Sequence, residues 1–188
     1  MDPVHGRCTR CLYQQRVCLC AEIPRIETQT RIVIVRHHRE AFRSSNSGRL
    51  AHHALANSEI VDHGGMGGPT VLPPLEGAWL VFPAGAPTVI APVPPPRQLV
   101  FLDASWSQAR KMYLKLSGLR GLPILRLPDA PMPAARLRKS PGEGRVSTIE
   151  AIARALRLIE GEGPAALLEA LFAVAVARAV ATGRSLDS

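Results

Sequence analysis

Apolar residues fall in short runs separated by polar, proline-rich or glycine-rich stretches. Arg31-Ile-Val-Ile-Val-Arg36 is a β-branched run bounded by charge, Trp79-Leu-Val-Phe82 ends at Pro83, and Gln98-Leu-Val-Phe-Leu102 stops at Asp103. Each predicts a short strand. Because these runs are continuously apolar rather than alternating, they predict strands covered on both faces, as in a largely parallel sheet. Ile124-Leu-Arg-Leu127 is a fourth strand candidate.

After Asp103 the period changes. Trp106, Ala109, Met112 or Tyr113, and Leu116 recur at helical spacing, and Gly118 is a natural C-terminal stop. Ser147 and Glu150 form an S-x-x-E capping box before the apolar face of Ile149, Ile152, Ala153, Leu156 and Ile159. A final helix is expected from near Pro164 to before Gly183, burying Leu167, Leu168, Leu171, Phe172 and Val176. Residues 50–56 read as helix, residues 63–68 as a glycine-rich loop without G-x-G-x-x-G spacing, and prolines 92, 94, 95 and 96 as a stiff connector. Strands alternating with helices predict an α/β fold, although the pattern does not order the sheet.

A chain of 188 residues supports one well-buried core with a small appendage. With 46% hydrophobic and 20% charged residues, it falls outside the disordered class. The net charge of +8 fits a polyanionic partner, or else an arginine-rich and alanine-rich genome. No charged region followed by an apolar one opens the chain, and Glu169 and Arg178 interrupt the apolar stretch 165–181. The expectation is a cytoplasmic monomer that does not engage membranes.

All four cysteines, Cys8, Cys11, Cys18 and Cys20, lie within the first twenty residues as C-x-x-C followed by C-x-C. Two such turns can bring four thiolates to a tetrahedral Zn2+. The alternatives are two disulfides, rare in cytosolic chains, or a redox pair, which would need a preceding strand. Residues 1–24 therefore read as a zinc-binding knuckle and 25–188 as the main domain. The knuckle has few apolar residues of its own, so metal would supply folding free energy.

Several motifs occur in a fixed order. They are Cys8-Thr-Arg-Cys11 with Cys18-Leu-Cys20, Asn46-Ser-Gly-Arg-Leu50, Phe82-Pro83, Asp103-Ala-Ser-Trp106 running on to Arg110 and Lys111, Arg138-Lys-Ser-Pro141, and Ser147-Thr-Ile-Glu-Ala151. Together they resemble the DTW-domain family across residues 7 to 160. Two departures stand out: His38 where relatives often carry proline, and serine rather than threonine before Trp106, which keeps the hydroxyl.

The resemblance implies a SPOUT-like sheet with helices on both faces, a C-terminal trefoil knot forming the cofactor pocket, and a zinc-binding segment ahead of it. It also implies transfer of the 3-amino-3-carboxypropyl group of S-adenosylmethionine to N3 of a tRNA uridine, releasing methylthioadenosine. The alternatives are a non-catalytic, zinc-dependent RNA-binding protein and a SPOUT-like RNA methyltransferase.

Asp103, at a strand's end, suits a base that accepts the N3 proton, or else a cap for the following helix. Trp106 suits stacking on adenine or the uridine, or else core packing. Ser147 and Thr148 open a helix whose amides can receive the cofactor's carboxylate, while Ser147 and Glu150 also suit simple capping. On the resemblance, Phe82, Pro83, Leu102, Asp103, Trp106, Ser147, Thr148 and Glu150 form the cofactor site. Candidate RNA contacts are Asn46, Arg49, Arg110, Lys111, Arg136, Arg138, Lys139 and Arg145, with a merely solvated basic loop as the alternative for the last four.

Overall fold

A computed structural model describes residues 6–129 and 146–182. Five strands, β1 (Arg31–His37), β2 (Ser58–His63), β3 (Ala78–Val81), β4 (Gln98–Asp103) and β5 (Ile124–Leu125), form one parallel sheet in the order β2-β1-β4-β3-β5. The helices are α1 (Ser47–Ala54), α2 (Trp106–Lys115), α3 (Ser117–Arg120), α4 (Thr148–Glu160) and α5 (Glu162–Ala181).

The apolar strands are covered on both faces, as their composition requires. Ile32, Ile34, Leu99 and Phe101 pack with Leu50 of α1, Ile152 and Leu156 of α4, and Leu168 and Phe172 of α5. On the other face Val33, Val35, Leu80 and Val100 meet Met112 of α2 and Leu119 of α3. The expected α/β architecture with helices on both faces is present. The expected knot depends on the course of residues 130–145, which lie outside the described residues.

Four details differ from the sequence expectation. β2 was not predicted: Ser58-Glu-Ile-Val-Asp-His63 holds only two apolar residues because it is an edge strand with one neighbour, β1. Helix α1 starts three residues early because the Asn46 side chain accepts from the Arg49 amide at 2.6 Å and caps it. Helix α2 ends before Gly118, at an extended Leu116, and Gly118 lies inside the short α3. Helix α5 begins ahead of Pro164, which sits in the first turn where a missing N–H costs nothing, and Gly161 at φ 94° makes the sharp corner from α4.

The knuckle has no core of its own. Cys11, Tyr13 and Leu19 belong to the same buried cluster as α4 and α5. The Tyr13 hydroxyl donates to the Ala175 carbonyl at 3.4 Å, and Arg178 donates to the Cys18 carbonyl at 2.9 Å. By length and composition α5 could cross a bilayer. In this fold its inner face is core, while Glu169 and Arg178 are ion-paired with Arg157 and Glu22.

Candidate active site and metal centre

β4 ends at Asp103, whose side chain is buried at 3% exposure. The strand register sets it beside Arg36 of β1. Its carboxylate accepts from Asn46 Nδ2 at 2.5 Å and from Thr148 Oγ1 at 2.6 Å. The N-terminal ends of α1 and α4 therefore converge on the end of β4. Gly48 allows this approach, since a Cβ there would lie 2.8 Å from the Asp103 carboxylate. Asp103 does not cap α2; that place belongs to Ser105, paired with Gln108.

Next to this junction, a cleft of about 900 Å³ including its mouth opens at the C-terminal ends of β3, β4 and β5. That is where parallel α/β sheets commonly bind ligands. Six of the eight residues expected to hold cofactor line it: Phe82, Pro83, Leu102, Trp106, Ser147 and Thr148. The Phe82 ring stacks on Tyr113 of α2 with centroids 4.9 Å apart, which fixes that wall. The other two residues are set back. Asp103 lies behind Leu102 and Thr148, and the Glu150 carboxylate is taken up by the Ser147 amide at 2.7 Å. The Ser147 hydroxyl is enclosed at the start of α4, placed opposite the Glu150 amide as the other half of a capping box.

The sequence reading missed Arg126, Asp129 and Arg154, which also line the cleft. A signal existed for Arg126, a cation interrupting the apolar run Ile124-Leu-Arg-Leu127. Arg154 lies two turns into α4 on the face of Thr148 and Ala151, and donates to the Pro128 carbonyl. Arg126 is ion-paired with Asp129 at 3.6 Å, whereas Arg154 has no acidic partner among the described residues.

The four cysteines are free and their sulfurs all lie within 4.8 Å of one another. Cys8 and Cys20 are 3.5 Å apart, and Cys11 and Cys18 are 3.7 Å apart. Ligands around a tetrahedral ion at about 2.3 Å stand about 3.8 Å from each other, whereas a disulfide would bring sulfurs to about 2.05 Å. The cluster thus has the geometry of a four-thiolate metal site. Burial disfavours the Cys8 thiolate, but the backbone amides of Cys11 and Arg10 and the Cys20 and Cys18 thiols outweigh it, lowering its pKa to about 6. Burial raises Cys11 and Cys20.

The expected RNA contacts divide into three groups. Arg110 and Lys111 are exposed on α2. Asn46 is buried at 4% exposure, so it orients α1 and Asp103 and presents nothing to a partner. Arg49 is half-buried and donates to the Ala41 carbonyl, and burial together with the Arg36 charge lowers its pKa. For Asn46 the contact role is corrected to a structural one, since both its side-chain atoms are bonded inside the fold; the Arg49 Nε has no hydrogen-bond partner among the described residues. Arg136, Arg138, Lys139 and Arg145 lie outside the described residues.

A family model of the DTW domain matches residues 5–180. The curated tRNA-uridine aminocarboxypropyltransferase A of Arabidopsis thaliana is 28% identical over 202 aligned positions, covering 86% of this chain and 76% of that one. The solved structure of the SAM-dependent rRNA:acp-transferase from Vulcanisaeta distributa superposes with a TM-score of 0.54. The match covers 85% of this chain and 82% of that one at 20% identity, a likeness of fold.

Proposed function

The chain belongs to the DTW-domain family, and from that premise we propose that it transfers the 3-amino-3-carboxypropyl group of S-adenosylmethionine to N3 of a tRNA uridine. The Arabidopsis relative's name supports this reading, and so does the solved neighbour of similar fold, whose title names a SAM-dependent acp-transferase. The observation that carries it is the cleft beside Asp103, with its apolar walls and the start of α4 on its lining.

These residues fit the group. Phe82, Pro83, Leu102 and Trp106 offer apolar and aromatic surface to the adenosine. The start of α4 and the Arg154 guanidinium offer donors and positive charge to its carboxylate. Bound there, S-adenosylmethionine supplies a sulfonium-activated carbon: N3 forms a bond to it as the C–S bond breaks, and the electron pair leaves on methylthioadenosine.

Asp103 accepts the N3 proton through Thr148. Thr148 lines the cleft, and its hydroxyl donates to Asp103 behind it. It can take the N3 proton while passing its own along that bond to the carboxylate. Zn2+ is the proposed occupant of the cysteine cluster, in a structural role, since four thiolates leave no open coordination position.

The decisive experiment incubates the purified protein with S-adenosylmethionine and tRNA, with rRNA in a parallel arm, and analyses digested nucleosides by mass spectrometry. An aminocarboxypropyl adduct on uridine in tRNA is expected. A methyl adduct, a product in the rRNA arm alone, or no adduct in either arm would overturn the reading.

A further inference from the structure

The segment joining β1 to α1 inverts the usual distribution of side chains. It buries Glu40 at 3% exposure, whereas Phe42 two residues later stands 90% exposed. An exposed apolar side chain is ordinary on a surface; a buried carboxylate beside a fully displayed aromatic ring is not. Among the described residues with large exposed apolar side chains, Phe42 is the aromatic one, and the exposed cations Arg39 and Arg43 bracket it.

The segment is also held in shape. Successive backbone bonds run from the Ala41 amide to the His38 carbonyl, from Arg43 to Glu40 and from Asn46 to Arg43, while Arg49 donates to the Ala41 carbonyl. Arg43 lies 3.8 Å from the Glu40 carboxylate. Phe42 is thus presented on a turn whose backbone is already held, so a partner binding it has only the side chain to order.

Both ends of the segment meet the active site. It leaves β1 after His37, next to Arg36, whose register partner is Asp103, and enters α1 at Asn46, whose side-chain amide donates to Asp103. The neighbours of Asp103, Leu102 and Thr148, line the cleft. The turn carrying Phe42 therefore stands over the C-terminal edge of the sheet, on the β1 side of the cleft.

We propose that this turn is a docking wall for the RNA substrate: Phe42 stacks on a base, and Arg39 and Arg43 neutralise the adjoining phosphates. A planar apolar face between two cations matches the alternation of base and phosphate in a single strand, and stacking on aromatic rings is how unpaired bases are commonly held. The inference rests on RNA being the substrate. Within that reading it adds to the recognition surface the turn whose Ala41 carbonyl Arg49 holds and whose end Asn46 anchors.

The test measures tRNA affinity, KM for tRNA, kcat and S-adenosylmethionine affinity for wild type, Phe42→Ala, Phe42→Trp and the double variant Arg39→Gln/Arg43→Gln. Phe42→Ala should weaken tRNA binding and raise KM by roughly ten-fold or more, with Phe42→Trp restoring most of it. The arginine variant should flatten the dependence of log Kd on log salt by about one to two contacts' worth. S-adenosylmethionine affinity should not move in any of them, nor the melting temperature in the two Phe42 variants. Wild-type tRNA affinity and KM in Phe42→Ala, or a change confined to self-association, would overturn the inference while leaving the activity standing. Wild-type protein that neither binds nor modifies tRNA would overturn the underlying reading, and the inference with it.

Discussion

Thr148 Oγ1 donates to Asp103 Oδ1 at 2.6 Å, so the first residue of α4 is tied to the last residue of β4 across 45 positions of sequence. That bond joins the cleft to the buried junction behind it. Replacing Thr148 with Val keeps the shape and removes the relay, and kcat should fall by about 10² to 10⁴ while Thr148→Ser retains most activity. Asp103→Asn should show the same loss with S-adenosylmethionine affinity within a few-fold of wild type. Steady-state kinetics beside calorimetry checks both; full activity in Asp103→Asn would remove the carboxylate from the reaction.

Gly48→Ala sets helix propensity against a clash. Alanine is favoured in a helix by about 1 kcal/mol, but the new Cβ would sit 2.8 Å from a carboxylate pinned by two hydrogen bonds. The clash should win, at a net cost of about 1–3 kcal/mol. Denaturant unfolding of the variant measures it, and a stabilised Gly48→Ala would show that the junction yields easily.

Arg154 is the cleft cation with no acidic partner among the described residues. If it receives the cofactor's carboxylate, Arg154→Ala should weaken S-adenosylmethionine by about 10- to 100-fold, the range of a charge-assisted hydrogen bond. Methylthioadenosine, which has no carboxylate, should bind the variant and wild type alike. Calorimetry with both ligands decides, and equal losses for the two would place Arg154 against the adenosine.

Metal removal should unfold more than the knuckle. Cys11, Tyr13 and Leu19 share a core with α4 and α5, so chelation at neutral pH should lower the melting temperature of the whole chain. Elemental analysis should find one zinc per chain before chelation and none after. A chelated protein with an unchanged melting temperature would make the cluster dispensable for folding.

Acid should also destabilise the fold through His52. Burial, then the charges of His53, Arg36 and Arg49, hold its pKa below 6.5, with Glu59 opposing them more weakly. Below 6.5 the unfolded chain takes up the proton first, so this contribution to stability is present above that pH and fades as pH falls toward the folded pKa. Melting curves from pH 7.5 to 5 should fall less steeply for His52→Gln than for wild type.

Much of the architecture was legible in the chain. The runs at 31–36, 79–82 and 98–102 became β1, β3 and β4 because strands buried on both faces must be apolar throughout. The capping pair Ser147 and Glu150 marked the start of α4, since orphan amides at a helix end need local partners. β2 escaped because an edge strand with few apolar residues lacks that signature. Arg154 escaped because a cation on an amphipathic helix looks solvated until its neighbours are known.

The sequence by itself determined what depends on near neighbours: strand and helix periods, caps, the cysteine spacing and the net charge. Only the tertiary structure decided the strand order and the meeting of Asn46, Asp103 and Thr148. It also decided that Asn46 and Arg49 face inward while Phe42 faces out. The reason is range. Local patterns are set by contacts a few residues apart, whereas a buried carboxylate is shared by segments whose separation in sequence carries no record of their approach.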